Sequence, residues 1–521
     1  MFIDVALASG IDFVHRAGRS DQHLLPEIMG GGAGFLDVDG DGLLDAYLVQ
    51  SDAGQHGSRG NRLFRNLGDG TFADVTETSG ADDTGYGMGC AAGDYDDDGD
   101  VDLYVTNRGD DVLYRNDGDG SFTDVTLGAG IDTPGWSTSA AFVDYDADGD
   151  LDLFVTSYVR WSRTGRFLDR ECFAATGERD YCSPQAYDAP SHDTLYENLG
   201  DGTFRDVSGA AGIASRAGTG LGVICTDLDG DGRVDLYVAN DQMPSFAWIN
   251  LGAGRFEERA ALLGVAVDEH GRPLAGMGVD AGDFDRDGDF DLWKVHLDGE
   301  AHTLYVNAGT FYDDATARLG LAVSTRAATG FGTAFVDLDL DGRLDLFVAN
   351  GRVQRAGGAG TATDPYAEAN QVLLQTPAGR FVDASERGGA ALRLVESSRG
   401  AAFADFDEDG DVDVLVCNND GRARLLRNET PATRFLAVRV LEASGRDALG
   451  AVIRCSGRDA VFTGLVHAAS SYCSTSDARR VIGLGTAVVT RIDVTWADGT
   501  ATSFTEGPYE GSVVLRRRDP S

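Results

Sequence analysis

Short apolar runs recur along the chain with the same neighbours on either side. The clearest are DLYVTN, DLFVTS, DLYVAN and DLFVAN, where large apolar and β-branched residues crowd together between Asp and a polar residue. Runs of this composition and length predict strands. A stretch of small residues leads into each, as in GYGMGCAAGD or AATGFGTAFVD. A shorter strand follows, such as VLYRN at Val112–Asn116 or TLYEN at Thr194–Asn198, then a GDG-type turn and the phrase TFxDV. Four strands per unit, repeated every roughly 50–60 residues, predict propeller blades. Seven units predict an all-β fold built on a seven-bladed β-propeller.

The chain opens on MFIDVALASGIDF. The same phrase returns as FADVTETSGADD from Phe72, FTDVTLGAGID from Phe122 and FRDVSGAAGIAS from Phe204, each time after a turn. The seventh unit runs through ARLLRNETPATRF and departs without its fourth strand. Phe2–Val5 is therefore expected to complete the last blade, closing the ring and covering a sheet edge. The propeller is expected over residues 1–430 and a small β-rich domain over 434–517.

Between the first two strands of every unit lies DxDxDGxxD. The first loop holds Asp37, Asp39, Asp41 and Asp45; the second Asp94, Asp96, Asp98 and Asp102; the third Asp144, Asp146, Asp148 and Asp152. The fourth holds Asp227, Asp229, Asp231 and Asp235; the fifth Asp283, Asp285, Asp287 and Asp291. The sixth holds Asp337, Asp339, Asp341 and Asp345; the seventh Asp405, Asp407, Asp409 and Asp413. Position six is Gly in all seven. Acidic turns with no common task would not keep this register. Ca²⁺ takes six to eight oxygens at roughly 2.3–2.6 Å, and Asp at 1, 3 and 5 can converge on it where Gly permits the sharp turn. The loop closes with Asp at 9 and runs into a strand, unlike an EF-hand. Mg²⁺ suits this ligand number less well. About seven Ca²⁺ per chain are expected.

Net charge is −42 and the pI about 4.3, so seven Ca²⁺ would leave about −28. An acidic surface excludes nucleic acid as a partner, and no apolar run approaches the roughly 18 residues of a membrane span. Gly is frequent (70) and Pro scarce (11), which fits many tight turns. No basic and apolar leader follows Met1; the protein is expected in the cytoplasm if Met1 is the native start, and secreted if a leader was removed. Of seven cysteines, Cys172 and Cys182 share an insert and are one candidate pair, Cys455 and Cys473 another. Cys90, Cys225 and Cys417 read as small core residues.

These phrases resemble the FG-GAP/VCBS repeats of integrin-type propellers. RFLAVRVLEASGRDALGAVIRCSG (Arg434–Gly457), IGLG (Ile482–Gly485) and VTWADG (Val494–Gly499) resemble the ASPIC/UnbV domain. Repeats followed by that tail are the architecture of the cartilage acidic protein 1 family, which AGMGVDAGD (Ala275–Asp283) and YCSP (Tyr181–Pro184) also resemble. The resemblance implies a calcium-binding and mostly secreted protein. Some members are similar to proteins encoded with natural-product pathways, including enediynes.

Candidate chemistry lies away from the loops. The second strand of each unit ends at Gln50, Asn107, Ser157, Asn240, His296, Asn350 or Asn418, a polar ring on the opposite rim that suits turn chemistry or a pocket over the channel. Unit five breaks the pattern with DLWKVH. If its hairpin is symmetric, Asp280 stands opposite Lys294, with His296 two residues on and Glu300 in the next turn. Such a group reads as a buried ion pair fixing a blade, or as an acid–base site with Asp280, Lys294 and His296 as catalytic residues. Glu27, Arg399, His15 and His23 are weaker candidates near the channel mouth. Arg108-Gly109-Asp110 follows a strand end, where these residue types are common. The insert at 160–191 carries four arginines between Arg160 and Arg170, suited to an anionic ligand or to docking the tail; a second insert spans 351–370. No zinc spacing, nucleophile elbow or phosphate loop appears. Two readings follow: a calcium-stabilised binding scaffold for a protein, glycan or small-molecule ligand, or a calcium-dependent enzyme of natural-product biosynthesis, a cyclase or other acid–base catalyst.

Overall fold

The computed structural model describes residues 2–52, 60–164, 168–355, 364–431 and 434–518. Seven four-stranded antiparallel sheets stand around a central axis. Blade two is typical: Gly87–Gly93, Asp102–Gly109, Val112–Asn116 and Phe122–Asp124 run from the axis outward. The inner strands are Ala33–Leu36, Gly87–Gly93, Gly135–Val143, Gly220–Thr226, Val279–Gly282, Gly330–Val336 and Ser398–Ala404. Each packs beside the next, and the seventh meets the first. Apolar residues fill the spaces between blades, as where Phe2, Phe347 and Phe403 share one cluster.

The seventh blade is composite. Phe2–Asp4 pairs antiparallel with Arg424–Asn428, with Phe2 opposite Asn428 and Asp4 opposite Leu426. Phe2 is buried and its ring meets Phe347 edge-on, 6.2 Å between centroids. The first strand of the chain thus occupies the outer edge that the seventh repeat leaves bare.

After residue 434 the chain forms two further sheets. One joins Arg480–Gly483, Phe435–Leu441 and Gly511–Arg516; the other joins Ala460–Leu465, Val452–Arg458, Val488–Thr495 and Ala501–Phe504. Their apolar core is continuous with that of blades two and three, where Leu449 and Trp496 belong to the same cluster as Leu151 and Phe142. Cys172 and Cys182 form a disulfide, whereas Cys455 and Cys473 are free and buried. The second candidate pair does not form because Cys455 lies in a tail sheet and Cys473 in the propeller channel. Among the described residues no helix is long and apolar enough to cross a membrane.

Candidate functional site

The seven Asp loops share one construction. The position-six glycine adopts positive φ in every copy, from +85° at Gly232 and Gly342 to +104° at Gly149. Only a residue without Cβ takes this conformation at little cost. The turn brings the Gly42 amide to Asp37 Oδ2 at 3.0 Å and the Gly99 amide to Asp94 Oδ2 at 3.0 Å. Position nine staples the loop to its blade: Asp45 accepts from the Val38 and Asn66 amides at 2.9 and 2.7 Å. Asp102 does the same for Tyr95 and Asn116, and Asp413 for Phe406 and Asn428.

Other oxygens in these loops have no partner. Buried carboxylate oxygens of Asp37, Asp39, Asp96, Asp144, Asp229, Asp405 and Asp407 accept no hydrogen bond. The carboxylates converge: Asp94, Asp96 and Asp102, for example, each bring an oxygen within 4.8 Å of the others. Burial, and then the neighbouring carboxylates, push Asp94 up to about 7 and Asp144 to about 6. Burial against two backbone amides leaves Asp102 and Asp152 at about 9. Crowded, desolvated and partly orphaned oxygens fit a hard divalent cation, which would bring positive charge and take up the unused lone pairs.

The tail covers this acidic face. Arg446 pairs with Asp97 of the second loop at 3.6 Å and donates to the Gly149 carbonyl of the third. Arg286 of the fifth loop lies over the Phe462 ring, 5.2 Å away. The Gly483 amide donates to Asp337 Oδ2 of the sixth at 2.7 Å. Arg479 reaches the Asp405 carbonyl at 3.2 Å and pairs with Glu408 at 3.7 Å in the seventh. Arg439 faces Asp37 of the first, and Leu465 packs in one cluster with Leu228 of the fourth.

From the tail, residues 467–478 enter the central channel. Ser471 and Val279 of blade five exchange backbone hydrogen bonds of 3.1 and 2.7 Å. Ser471 Oγ accepts from the Thr333 amide of blade six and donates to the Ala401 carbonyl of blade seven, both at 2.9 Å. The Cys473 carbonyl accepts from the Cys90 amide of blade two, and its amide donates to Ser139 Oγ of blade three. Gly34 of blade one pairs with Thr475, and Gly222 of blade four lies against Ser471. At the far end the Tyr472 hydroxyl donates to the Met29 carbonyl at 2.8 Å. The hairpin meets every blade, so the channel holds polypeptide at the level of the inner strands.

The polar ring is buried turn chemistry. Asn107 Nδ2 donates to Asp83 and Asn240 Nδ2 to the Pro244 carbonyl. Asn350 Nδ2 bonds the Ala369 carbonyl and Asn418 Nδ2 the Arg422 carbonyl. Gln50 Nε2 bonds the Val14 carbonyl, and the Ser157 amide bonds Asp193. Arg399 is fully buried with its guanidinium over the Phe331 ring at 4.0 Å, donating to carbonyls of Ile28, Gly351, Ser398 and Arg352. Glu27 is buried and accepts from Ser20. His15 accepts from the Asp420 amide and meets Ser51 Oγ, and burial lowers it to about 3.

Asp280, Lys294 and His296 do not form one cluster. The register places Asp280 opposite Trp293, and Val279 opposite Lys294. The expected pairing was one residue out of phase, which on a strand reverses the face. Lys294 points toward blade four, where Nζ donates to Tyr237 Oη at 3.1 Å and Ser245 Oγ at 2.9 Å. Burial lowers it to about 7. Asp280 turns toward blade six and the tail, accepting from the Phe335 amide at 2.7 Å and pairing with His467 Nε2 at 3.1 Å. His296 stays on the Lys294 side, bonded to the Ala275 carbonyl and Thr303 Oγ1. Glu300 accepts from the Ala275 amide.

The described part of the insert carrying the arginines shares an apolar cluster with Tyr472 and Cys473 of the tail, through Tyr181, Cys182 and Tyr187. It lies over the opposite face, where Tyr181 packs against His23 and Tyr366 and Arg179 donates to the Gln22 carbonyl. Arg108 is held there between the rings of Tyr86 and Trp161, at 4.7 and 5.1 Å. Arg166 of the insert, and 356–363 of the second insert, lie outside the described residues.

The FG-GAP-like repeat family matches residues 37–105, 94–155, 169–238 and 227–293, and the ASPIC and UnbV family matches 441–520. The chain is an FG-GAP repeat protein with an ASPIC and UnbV tail. It is similar to cartilage acidic protein 1 of Homo sapiens, 26% identical over 325 residues, covering 60% of this chain and 46% of that protein. The same protein of Xenopus tropicalis is 27% identical over 342 residues, covering 62% and 48%. The FG-GAP chain therefore spans about half the length of the curated relatives it matches. Among solved structures, an Agrocybe aegerita lectin specific for non-reducing terminal N-acetylglucosamine aligns with TM-score 0.38 and 16% identity, over 68% of this chain and 79% of that one.

Proposed function

We propose that this protein is a calcium-stabilised β-propeller binding scaffold whose recognition surface is the face opposite the Asp loops. The observation that carries this reading is the placement of the tail. It covers the acidic loops with Arg439, Arg446 and Arg479 and fills the channel with residues 467–478. Calcium in loops covered this way holds the ring and the tail together; it is poorly placed to bridge a ligand. The opposite face carries guanidinium groups stacked on aromatic rings: Arg108 on Tyr86 and Trp161, and Arg19 and Arg355 on Tyr366. In a chain of net charge −42 such a surface suits a protein, glycan or small molecule that presents an anionic group.

The deciding experiment counts calcium per chain and follows the thermal melt before and after exhaustive chelation. About seven ions, with a large fall in melting temperature on their removal, is the expected result. Full retention of the fold without metal would remove calcium as a structural component. Arg108→Ala is expected to weaken ligand capture while leaving the melt unchanged.

A further inference from the structure

On the face opposite the Asp loops, blade five carries a cavity of about 200 Å³. The segment 268–274, the turn 299–303 and the end of the outer strand at Asp314 enclose it. Pro273, Leu274, Ala301, Ala317 and Ala322 form an apolar wall. The charged wall is unbalanced: Asp268, Glu269, Glu300 and Asp314 face two guanidinium groups, Arg272 and Arg326, and His270. Each cation is engaged. Arg272 grips Asp268 Oδ2 with two hydrogen bonds of 2.7 and 2.9 Å. Arg326 donates to the Gly299 carbonyl at 3.0 Å, and His270 stands 3.8 Å from Glu269 at the exposed edge. Glu300 Oε2 accepts from the Ala275 amide at 2.9 Å and Asp314 Oδ1 from the Thr316 amide at 3.1 Å. Neither carboxylate has an ion-pair partner among the described residues.

Thr303 adds a third acceptor to this wall. The Ala275 carbonyl can only accept, so His296 Nδ1, 3.1 Å from it, carries the ring proton. Nε2 is then bare and takes the Thr303 hydroxyl proton at 3.0 Å, which leaves Oγ1 with lone pairs only. Lys294, opposite Thr303 across the strands, is the single lysine of the chain. Its amine turns to Tyr237 and Ser245 instead, at 3.1 and 2.9 Å. Burial raises Glu300 above the usual carboxylate value, and the Ala275 amide and the more distant Lys294 and Arg272 offset this only in part. The wall therefore lacks a donor-rich cation. A hard divalent ion seeks six to eight oxygens and gains nothing from an alkyl wall. A guanidinium is a planar fork, whereas acceptors on a turn and two strands suit the three donors of an ammonium. A cavity of about 150 Å³ takes benzene, so this one has room for a carbon chain beside the charge. We infer that the cavity binds a primary ammonium on a short carbon chain, the nitrogen donating to Glu300, Asp314 and Thr303 Oγ1 and the chain lying against Pro273 and Leu274. This site uses none of Arg19, Arg108 and Arg355, and it stands without the surface proposed for anionic ligands.

n-Pentylamine and 1-pentanol are the probes, matched in chain length. Calorimetric titration of the calcium-loaded full chain at neutral pH is expected to give one amine site, with the alcohol about tenfold weaker or more, the worth of a charge-assisted hydrogen bond. Glu300→Gln keeps an acceptor for the Ala275 amide and removes the charge. It is expected to weaken the amine about tenfold with the melt unchanged. Should that variant fail to fold, crystals of the unaltered protein grown in pentylamine decide: the nitrogen is expected within hydrogen-bond distance of Glu300 and Asp314. Equal affinity for amine and alcohol would overturn the inference. So would amine affinity that survives Glu300→Gln, pentylamine bound only elsewhere, or a calcium ion that holds the cavity and excludes the amine.

Discussion

The backbone amide of Gly483, in the tail, donates a 2.7 Å hydrogen bond to Oδ2 of Asp337, the first carboxylate of the blade-six loop. The same oxygen accepts from the Gly342 amide of its own loop at 2.8 Å. Loop geometry and tail docking share one atom. Removal of calcium is therefore expected to loosen the tail before the blades. Amide exchange over residues 434–518 should accelerate at least tenfold on chelation, while the middle strands of the blades keep their protection. Unchanged exchange in the tail would separate the two events.

The channel hairpin sets the size of residue that the inner strands tolerate. A Cβ at Gly89 would lie 2.7 Å from the Cys473 carbonyl oxygen and 2.8 Å from its Cα. Gly89→Ala is expected to cost about 1–3 kcal/mol in chemical denaturation, the range of an overpacked core site. Gly209→Ala, where nothing lies within 4 Å, serves as the control and should be near neutral.

Deleting residues 2–5 takes away the outer strand of blade seven and the buried Phe2 ring. The expected outcome is a single calorimetric transition at lower temperature, because the ring loses its closure and exposes the edge of Arg424–Asn428. A separate, early transition confined to one end would instead show that the strand merely decorates the ring.

Lys294 gives a pH dependence of defined sign. Its folded value is lowered from 10.5 to about 7 by burial. The folded state therefore binds fewer protons than the unfolded chain between these values, and stability rises with pH across that window. The penalty is fully present below about 7 and is gone above about 10.5. Lys294→Met is expected to stabilise the protein by about 1–3 kcal/mol at pH 6, where the charge is buried without a carboxylate contact, and by less at pH 10. Equal gains at both pH values would show that the amine is not desolvated in the fold.

The architecture was legible because its causes are local and repeated. Asp and Gly at fixed places in DxDxDGxxD, and the apolar strand that follows, come from one physical demand met seven times. The missing fourth strand of the last repeat pointed to Phe2–Val5 for the same reason. What depended on a single register was not legible. Asp280 was placed opposite Lys294 by assuming a symmetric hairpin, and a slip of one residue sent the two side chains to different blade interfaces. The channel hairpin left the weakest trace. HAASSYCSTSDA, at 467–478, has no periodicity and reads as a loop. Its only counterpart in the repeats is the run of Gly and Ala on the inner strands, which an empty channel would not require. His467 carries no local signal, because its partner Asp280 lies 187 positions earlier in the chain.

The hairpin at 467–478 also bears on the order in which the molecule can be made. Every blade is complete once Asn428 has joined Phe2, yet the inner amides of Cys90, Val279 and Thr333 find their partners only in residues still to come. A chain emerging from the ribosome must hold a finished ring with an unfilled centre, or wait with the ring ajar. In either case a domain synthesised after the ring is the one that makes the first blades permanent.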